Sequence, residues 1–136
     1  MKKVFIDTNV LIDFILEREG AKNAADILQL GEEKKIRTAA SFLTMANTAY
    51  IIRKGRTQTE LYALLTDLSD MIEILPMDER QFKDALDRPA SDFEDVLQYE
   101  CAKAHGCDVI VTRNSRHFPF AQIPVLSPAE FLGQML

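Results

Sequence analysis

Lys3-Val4-Phe5-Ile6-Asp7-Thr8-Asn9-Val10-Leu11-Ile12-Asp13 is the stretch that decides how the rest of the chain is read. Val4, Phe5 and Ile6, two of them β-branched, spell a short buried strand. The run stops on an acid, Asp7, and a second polar group, Asn9, follows two residues on. Val10, Leu11, Phe14 and Ile15 then recur at helical spacing, which predicts a helix over residues 9–17. A strand that delivers an aspartate to its carboxyl end, directly before a helix, stands where open α/β sheets bind ligands.

Outward from this stretch the same alternation continues. A second helix carries Ala24, Ile27 and Leu28, with Gly31 as a candidate end, and residues 36–39 read as a weak strand. Ser41 is a good N-cap for a third helix, whose expected buried stripe is Leu43, Ala46, Ala49 and Tyr50. Thr57-Gln58-Thr59-Glu60 is a capping box, and Leu61, Leu64, Leu65 and Leu68 follow at helical spacing as plain core packing. Residues 71–75 alternate as a strand stopped by Pro76, and Asp78 caps a helix closed by Arg88-Pro89. Ser91-Asp92-Phe93-Glu94 is a second capping box, opening a helix that reaches about His105. Val109-Ile110-Val111 is a fully apolar strand. Residues 123–126 read as an edge strand because prolines flank it, and Ser127-Pro128-Ala129-Glu130 opens a last helix. Short apolar strands alternating with amphipathic helices predict a three-layer α/β/α sandwich, with a central, mostly parallel sheet of about five strands.

Length and composition set bounds. At 136 residues the chain is expected to form a single domain over 1–136 with a sizeable core, and 47% apolar residues argue against disorder. No apolar run is long enough for a membrane span and nothing resembles a targeting segment, so a cytoplasmic protein without a membrane partner is expected. Cys101, Cys107, His105 and His117 are too few and too oddly spaced for a zinc site, and both cysteines read as ordinary reduced residues. The formal charge of −5 argues mildly against a general nucleic-acid coat protein. An enzyme that gathers acids around cations fits it equally well.

The informative comparison is between two strand ends. Val4-Phe5-Ile6 ends in Asp7-Thr8-Asn9, and Val109-Ile110-Val111 ends in Thr112-Arg113-Asn114. In a parallel sheet both polar triplets emerge at one carboxyl edge. The helix after Ser91 adds Asp92 and Asp95, three apart and sharing a face. At about 100° per residue its apolar arc holds Phe93, Val96, Leu97 and Ala104, with Asp95 roughly opposite. Acids in a first turn also offset the helix dipole, a role that suits Glu94 through the capping box. Three carboxylates at one edge repel unless cations sit between them. Hard oxygen donors favour Mg2+ or Mn2+, ions that activate water and stabilise charge on a phosphodiester.

Val4-Phe5-Ile6-Asp7-Thr8-Asn9-Val10-Leu11-Ile12-Asp13 resembles the opening signature of the PIN-domain family. Asp95-Val96-Leu97-Gln98-Tyr99-Glu100-Cys101-Ala102, followed by Val109-Ile110-Val111-Thr112-Arg113-Asn114 and then Phe118, resembles its closing one. The resemblance spans nearly the whole chain. It implies a metal-dependent ribonuclease, often the toxin of a VapBC-type toxin–antitoxin pair, with RNA as substrate, an antitoxin protein as partner and a possible homodimer. It makes Asp7 the first metal ligand, Asp95 the central one and Asp92 an additional acid, with Mg2+ or Mn2+ as cofactor. Where the family usually has a glutamate the chain has Asn47, and where it often has an aspartate the chain has Asn114, a pattern found in a subgroup. An amide oxygen can ligate but brings no charge.

Thr8 and Asn9 are expected to support Asp7 through their side chains and Thr112 to position the site from its strand end, and Asp13 reads as a solvated, helix-face acid. Arg113 and Arg116 with His117 form the nearest basic cluster for phosphate contacts, and Arg53, Lys54 and Arg56 a second. Two other readings compete. A PIN-like module that binds RNA or protein without cutting accommodates both asparagines. A phosphatase of the haloacid-dehalogenase type would use the strand-ending aspartate as nucleophile, but it wants a second acid where Asn9 stands.

Overall fold

The computed structural model describes residues 1–88 and 92–135. Five segments pair into one sheet: β1 (Lys3–Ile6), β2 (Arg37–Ser41), β3 (Glu73–Leu75), β4 (Val109–Val111) and β5 (Val125–Leu126), in the order β3-β2-β1-β4-β5, and every pairing is parallel. β1 is therefore central, and its apolar run reflects burial on both faces. Successive side chains alternate between layers. Val4 and Ile6, with Val109 and Val111 beside them, pack under α1 (Thr8–Ile15), α2 (Ala21–Glu32), α4 (Gln58–Met71) and α7 (Pro128–Met135). Phe5 and Ile110 face the other way, onto Tyr99, Cys101 and Ala102 of α6 (Phe93–Ala104). The three-layer α/β/α arrangement is the one the alternating pattern predicts.

Several local expectations change in the folded chain. α2 runs through Gly31 rather than ending there. A Cβ at Gly31 would stand 2.9 Å from Thr38 Oγ1 on β2, so this glycine serves a close helix–strand approach. α3 (Phe42–Ile52) buries Thr44, Thr48 and Ile52, while Tyr50 is 66% exposed and Ala46 faces solvent. The threonines can go inward because their polar atoms are used. The Thr44 hydroxyl pairs with Ser41 Oγ at 3.0 Å, and the Thr48 hydroxyl donates to the Thr44 carbonyl at 2.7 Å. Of the four leucines on α4, Leu68 is fully buried and Leu65 packs on the core from its edge. The capping boxes at Thr57–Glu60 and Ser127–Glu130 form as read.

α6 departs from its expected wheel. Phe93 and Ala104 are exposed, whereas Val96 and the whole of Gln98–Ala102 are buried. The helix is covered by the sheet on one side and by α5 (Glu79–Leu86) on the other, and its buried Glu100 is met by Arg88 Nε at 3.1 Å. Pro89 and Ser91, read as a helix stop and a cap, lie outside the described residues. Both cysteines are buried and free, and burial pushes the Cys101 thiol up to about 12 and the Cys107 thiol up to about 11. Among the described residues no helix is long and apolar enough to cross a membrane.

Candidate active site

Because β1 and β4 are parallel neighbours, the two polar triplets do emerge side by side. Asp7 caps α1, its Oδ1 accepting from the Thr8 amide at 2.8 Å. Its Oδ2 accepts from the Thr112 hydroxyl at 2.8 Å and from Asn9 Nδ2 at 3.3 Å. Thr112 Oγ1 in turn accepts from Asn9 Nδ2 and from the Asn114 amide, each at 3.1 Å. A hydroxyl with both lone pairs taken has one proton left to give, so its direction toward Asp7 is determined. Asn9 Oδ1 accepts from the Arg113 amide at 3.1 Å, which completes the lacing of the two strand ends. Asn9 and Thr112 hold Asp7 through their side chains, whereas Thr8 does so only through its backbone amide, its buried hydroxyl having no hydrogen-bond partner among the described residues.

Above this floor lies a cleft of about 320 Å³. Asp7, Asn9, Glu94, Asp95, Arg113 and Asn114 contribute its polar wall, with Arg18 and His117 at the same opening. Asp95 is drawn up to about 6, first by burial and then by the charges of Asp92 and Asp7. Asp7 is raised by burial, against the opposing pull of its bonds to Thr112 and Thr8. Glu94 is also raised, by burial and by the same two aspartates, with the Asn47 hydrogen bond acting the other way. Asp95 Oδ2 is shut off from solvent and has no hydrogen-bond partner among the described residues; His117 Nδ1 stands 3.4 Å away.

Not every candidate reaches the cleft. Asp92 is the N-cap of α6, and its Oδ1 accepts from the amides of Glu94 and Asp95 at 2.9 and 3.3 Å. It acts on the site through its charge rather than as part of the wall. Asn47 Nδ2 donates to Glu94 Oε1 at 2.9 Å and stands behind that acid. Arg116 is exposed on a short 3-10 turn at Ser115–His117. Arg53 lies over the ring of Tyr50 at 3.8 Å, and it and Lys54 are outside the cleft wall. Asp13, read as solvated, is buried and ion-paired with Arg113.

Two wall residues were not legible as such. Glu94 reads as the acid of a capping box, yet with Asp92 as the cap it falls one position earlier in the helix and turns to the cleft. Arg18 sits in the turn after α1, where no periodicity points anywhere. The carboxylate and amide oxygens are hard donors that suit Mg2+ or Mn2+, and His117 adds an imidazole at the same cleft. Among the described residues no three acids, histidines or cysteines close around one point. Mg2+ needs only one or two carboxylates beside water and substrate oxygens. Asp7 and the orphaned oxygen of Asp95 fit that requirement.

With this geometry the comparisons are specific. The PIN-domain model matches residues 3–116, and the chain belongs to the PIN-domain family. Ribonuclease VapC1 of Aquifex aeolicus (strain VF5) is 29% identical over 139 residues, covering 96% of this chain and 93% of the relative. Among solved structures, DNA-bound VapBC from Salmonella typhimurium superimposes with a TM-score of 0.70 at 22% identity, over 94% of this chain and 99% of that one. A toxin–antitoxin complex from Klebsiella pneumoniae gives 0.68 at 21%, over 92% and 97%. These two likenesses establish the fold.

Proposed function

We propose that this chain is a divalent-metal-dependent endoribonuclease of the cytoplasm, the toxin of a toxin–antitoxin pair. The observation that carries the reading is the meeting of Asp7, Asp95 and Glu94 in one polar cleft, in a chain similar from end to end to a ribonuclease. Asp7 and Asp95 would hold Mg2+ or Mn2+, with Asn114 as a neutral oxygen donor. When bound, such an ion supplies Lewis-acid activation of water and compensation of phosphodiester charge. The chain's own residues supply the rest. Thr112 and Asn9 keep the Asp7 carboxylate from turning, and Asp92 and His117 push the charge of Asp95 in opposite directions. Arg113 and Arg18 bring positive charge to the mouth of an otherwise acidic cleft, where an RNA backbone needs it.

Glu94 answers the question that Asn47 raises. The acid that the family places on the earlier helix is here an amide, and that amide donates to a carboxylate supplied by α6. The cleft so keeps three acids. The partner half of the proposal rests on an exposed apolar surface around α3, α4 and β3, where Phe42 and Tyr62 are each 66% exposed. Phe42, Tyr62, Leu65 and Ile74 line one mostly apolar groove there, and an apolar surface of that kind is a site for a protein partner. An antitoxin is the partner we propose, with a second copy of the chain as the other candidate.

A labelled single-stranded RNA incubated with Mg2+, Mn2+ or EDTA tests the reading. Cleavage is expected with either ion, none with EDTA, and a loss of at least about a hundredfold in Asp7→Asn and Asp95→Asn. Cleavage that survives both EDTA and Asp7→Asn overturns the mechanism. RNA binding with no cleavage under any condition favours the non-cutting module, to which the asparagines at 47 and 114 point. Metal-dependent release of phosphate from small monoesters would favour the phosphatase; Asn9, whose amide is committed to Asp7, Thr112 and Arg113, speaks against it.

A further inference from the structure

Asp13 has no part in the metal reading, yet it is 2% exposed. Its Oδ2 lies 3.0 Å from Arg113 Nε, and its Oδ1 is buried with no hydrogen-bond partner among the described residues. Removing a carboxylate from water is expensive, and a buried ion pair at best breaks even in stability. Even so, the local backbone is shaped around this side chain. After α1 the chain turns back through Glu17, whose φ of 52° is in the left-handed region, and the Arg18 amide donates to the Asp13 carbonyl at 3.0 Å. Gly20 then passes so close that a Cβ there would stand 2.7 Å from Asp13 Oδ2. The turn from Leu16 to Gly20 is a cover over one carboxylate.

Its partner is different. The Arg113 side chain is 47% exposed and lines the cleft, as does Arg18 from the covering turn. Arg113 is held at two points, by its amide on Asn9 and by Nε on Asp13. Its terminal guanidinium nitrogens have no hydrogen-bond partner among the described residues. A guanidinium held beside a buried acid by an ion pair, with its terminal donors at a cleft mouth, is placed to grip a phosphate.

We propose that Asp13 is a positioning residue: through its ion pair it aims Arg113, and through the turn that covers it places Arg18, so that the two arginines anchor a phosphate of the RNA backbone beside the scissile bond. The inference rests on the ribonuclease reading. It also has a consequence opposite to simple electrostatics. Asp13→Asn takes a negative charge out of a chain of net charge −5, which by itself should tighten RNA binding. If Asp13 aims Arg113, the same change weakens it.

The test is fluorescence anisotropy of a labelled single-stranded RNA in EDTA over a salt series, together with KM and kcat in Mg2+. Asp13→Asn and Arg113→Ala should each raise Kd and KM about tenfold and lower the salt slope by about one. The double variant should bind no more weakly than Arg113→Ala alone, because both changes remove one contact. Gly20→Ala, which displaces the carboxylate without altering charge, should reproduce the phenotype and decides the matter if Asp13→Asn fails to fold. Arg113→Lys keeps the charge but loses the Nε contact, and should behave like Arg113→Ala. Unchanged or tighter binding in Asp13→Asn, or losses that add in the double variant, overturn the inference while leaving the nuclease intact. A wild-type protein that neither binds nor cuts RNA overturns the functional reading itself.

Discussion

The Thr112 hydroxyl donates to Asp7 Oδ2 at 2.8 Å across 105 residues of sequence, and this bond ties the opening signature of the chain to the closing one. Removing it by Thr112→Val keeps the shape of the side chain but leaves a buried carboxylate oxygen with one bond fewer. We expect a stability loss of about 1–3 kcal/mol. Metal affinity should fall about tenfold to a hundredfold, the usual cost of losing a group that orients a ligand. Chemical denaturation and a metal titration followed by thermal shift check both. An unchanged metal affinity would show that Asp7 is oriented without Thr112.

Glu94 and Asn47 form a pair in which the roles can be separated. Glu94→Gln removes a cleft charge, and the Mg2+ concentration for half-maximal cleavage should rise about tenfold. Asn47→Ala removes only the amide that donates to Glu94, and should change it by less than about threefold. Equal and large effects from both would mean that Asn47 itself belongs to the wall.

Crowding of acids makes the metal-free protein pH-sensitive in a definite direction. Asp95, drawn up to about 6, and Asp7 and Glu94, raised by burial, hold protons in the native state at pH values where the unfolded chain has lost them. The native state therefore binds more protons between about pH 4 and about pH 6, and stability falls as pH rises through that window. In EDTA the melting temperature should be a few degrees lower at pH 7 than at pH 5. Asp95→Asn should melt higher than wild type at pH 7 and show a flatter profile, and added Mg2+ should recover the loss in wild type. A wild-type profile flat between pH 5 and pH 7 would contradict the assigned crowding.

Gly31→Ala sets two known effects against each other. Alanine favours the helix by about 1 kcal/mol. The new Cβ would meet Thr38 Oγ1 at 2.9 Å and Cγ2 at 3.0 Å, and Thr38 cannot turn away without losing its 2.8 Å bond to the Met71 carbonyl. Overpacking of this kind costs about 1–3 kcal/mol. A net loss of about 1 kcal/mol is expected, read as a lower urea midpoint with unchanged slope. A gain would show that β2 yields easily to α2.

The alternation of Val4-Phe5-Ile6 and Val109-Ile110-Val111 with amphipathic helices was enough, from sequence alone, to determine a parallel, doubly covered sheet with Asp7 and Thr112 at one edge. Period-2 and period-3.6 burial are properties of neighbouring residues, so they are written locally. Ser41, Thr57 and Asp78 could be read as caps for the same reason. What only the tertiary structure decided is which polar side chain faces what. Thr44 and Thr48 are buried because each finds a partner for its polar atoms, and Tyr50 is left outside in their place. Asp92 closes the end of α6 while Glu94 turns to the cleft. Asp13 goes under a turn to meet Arg113, 100 positions further along the chain. A polar residue is placed by the partner that satisfies it, and when that partner comes from another strand or helix, the assembled fold is the first point at which the pairing exists.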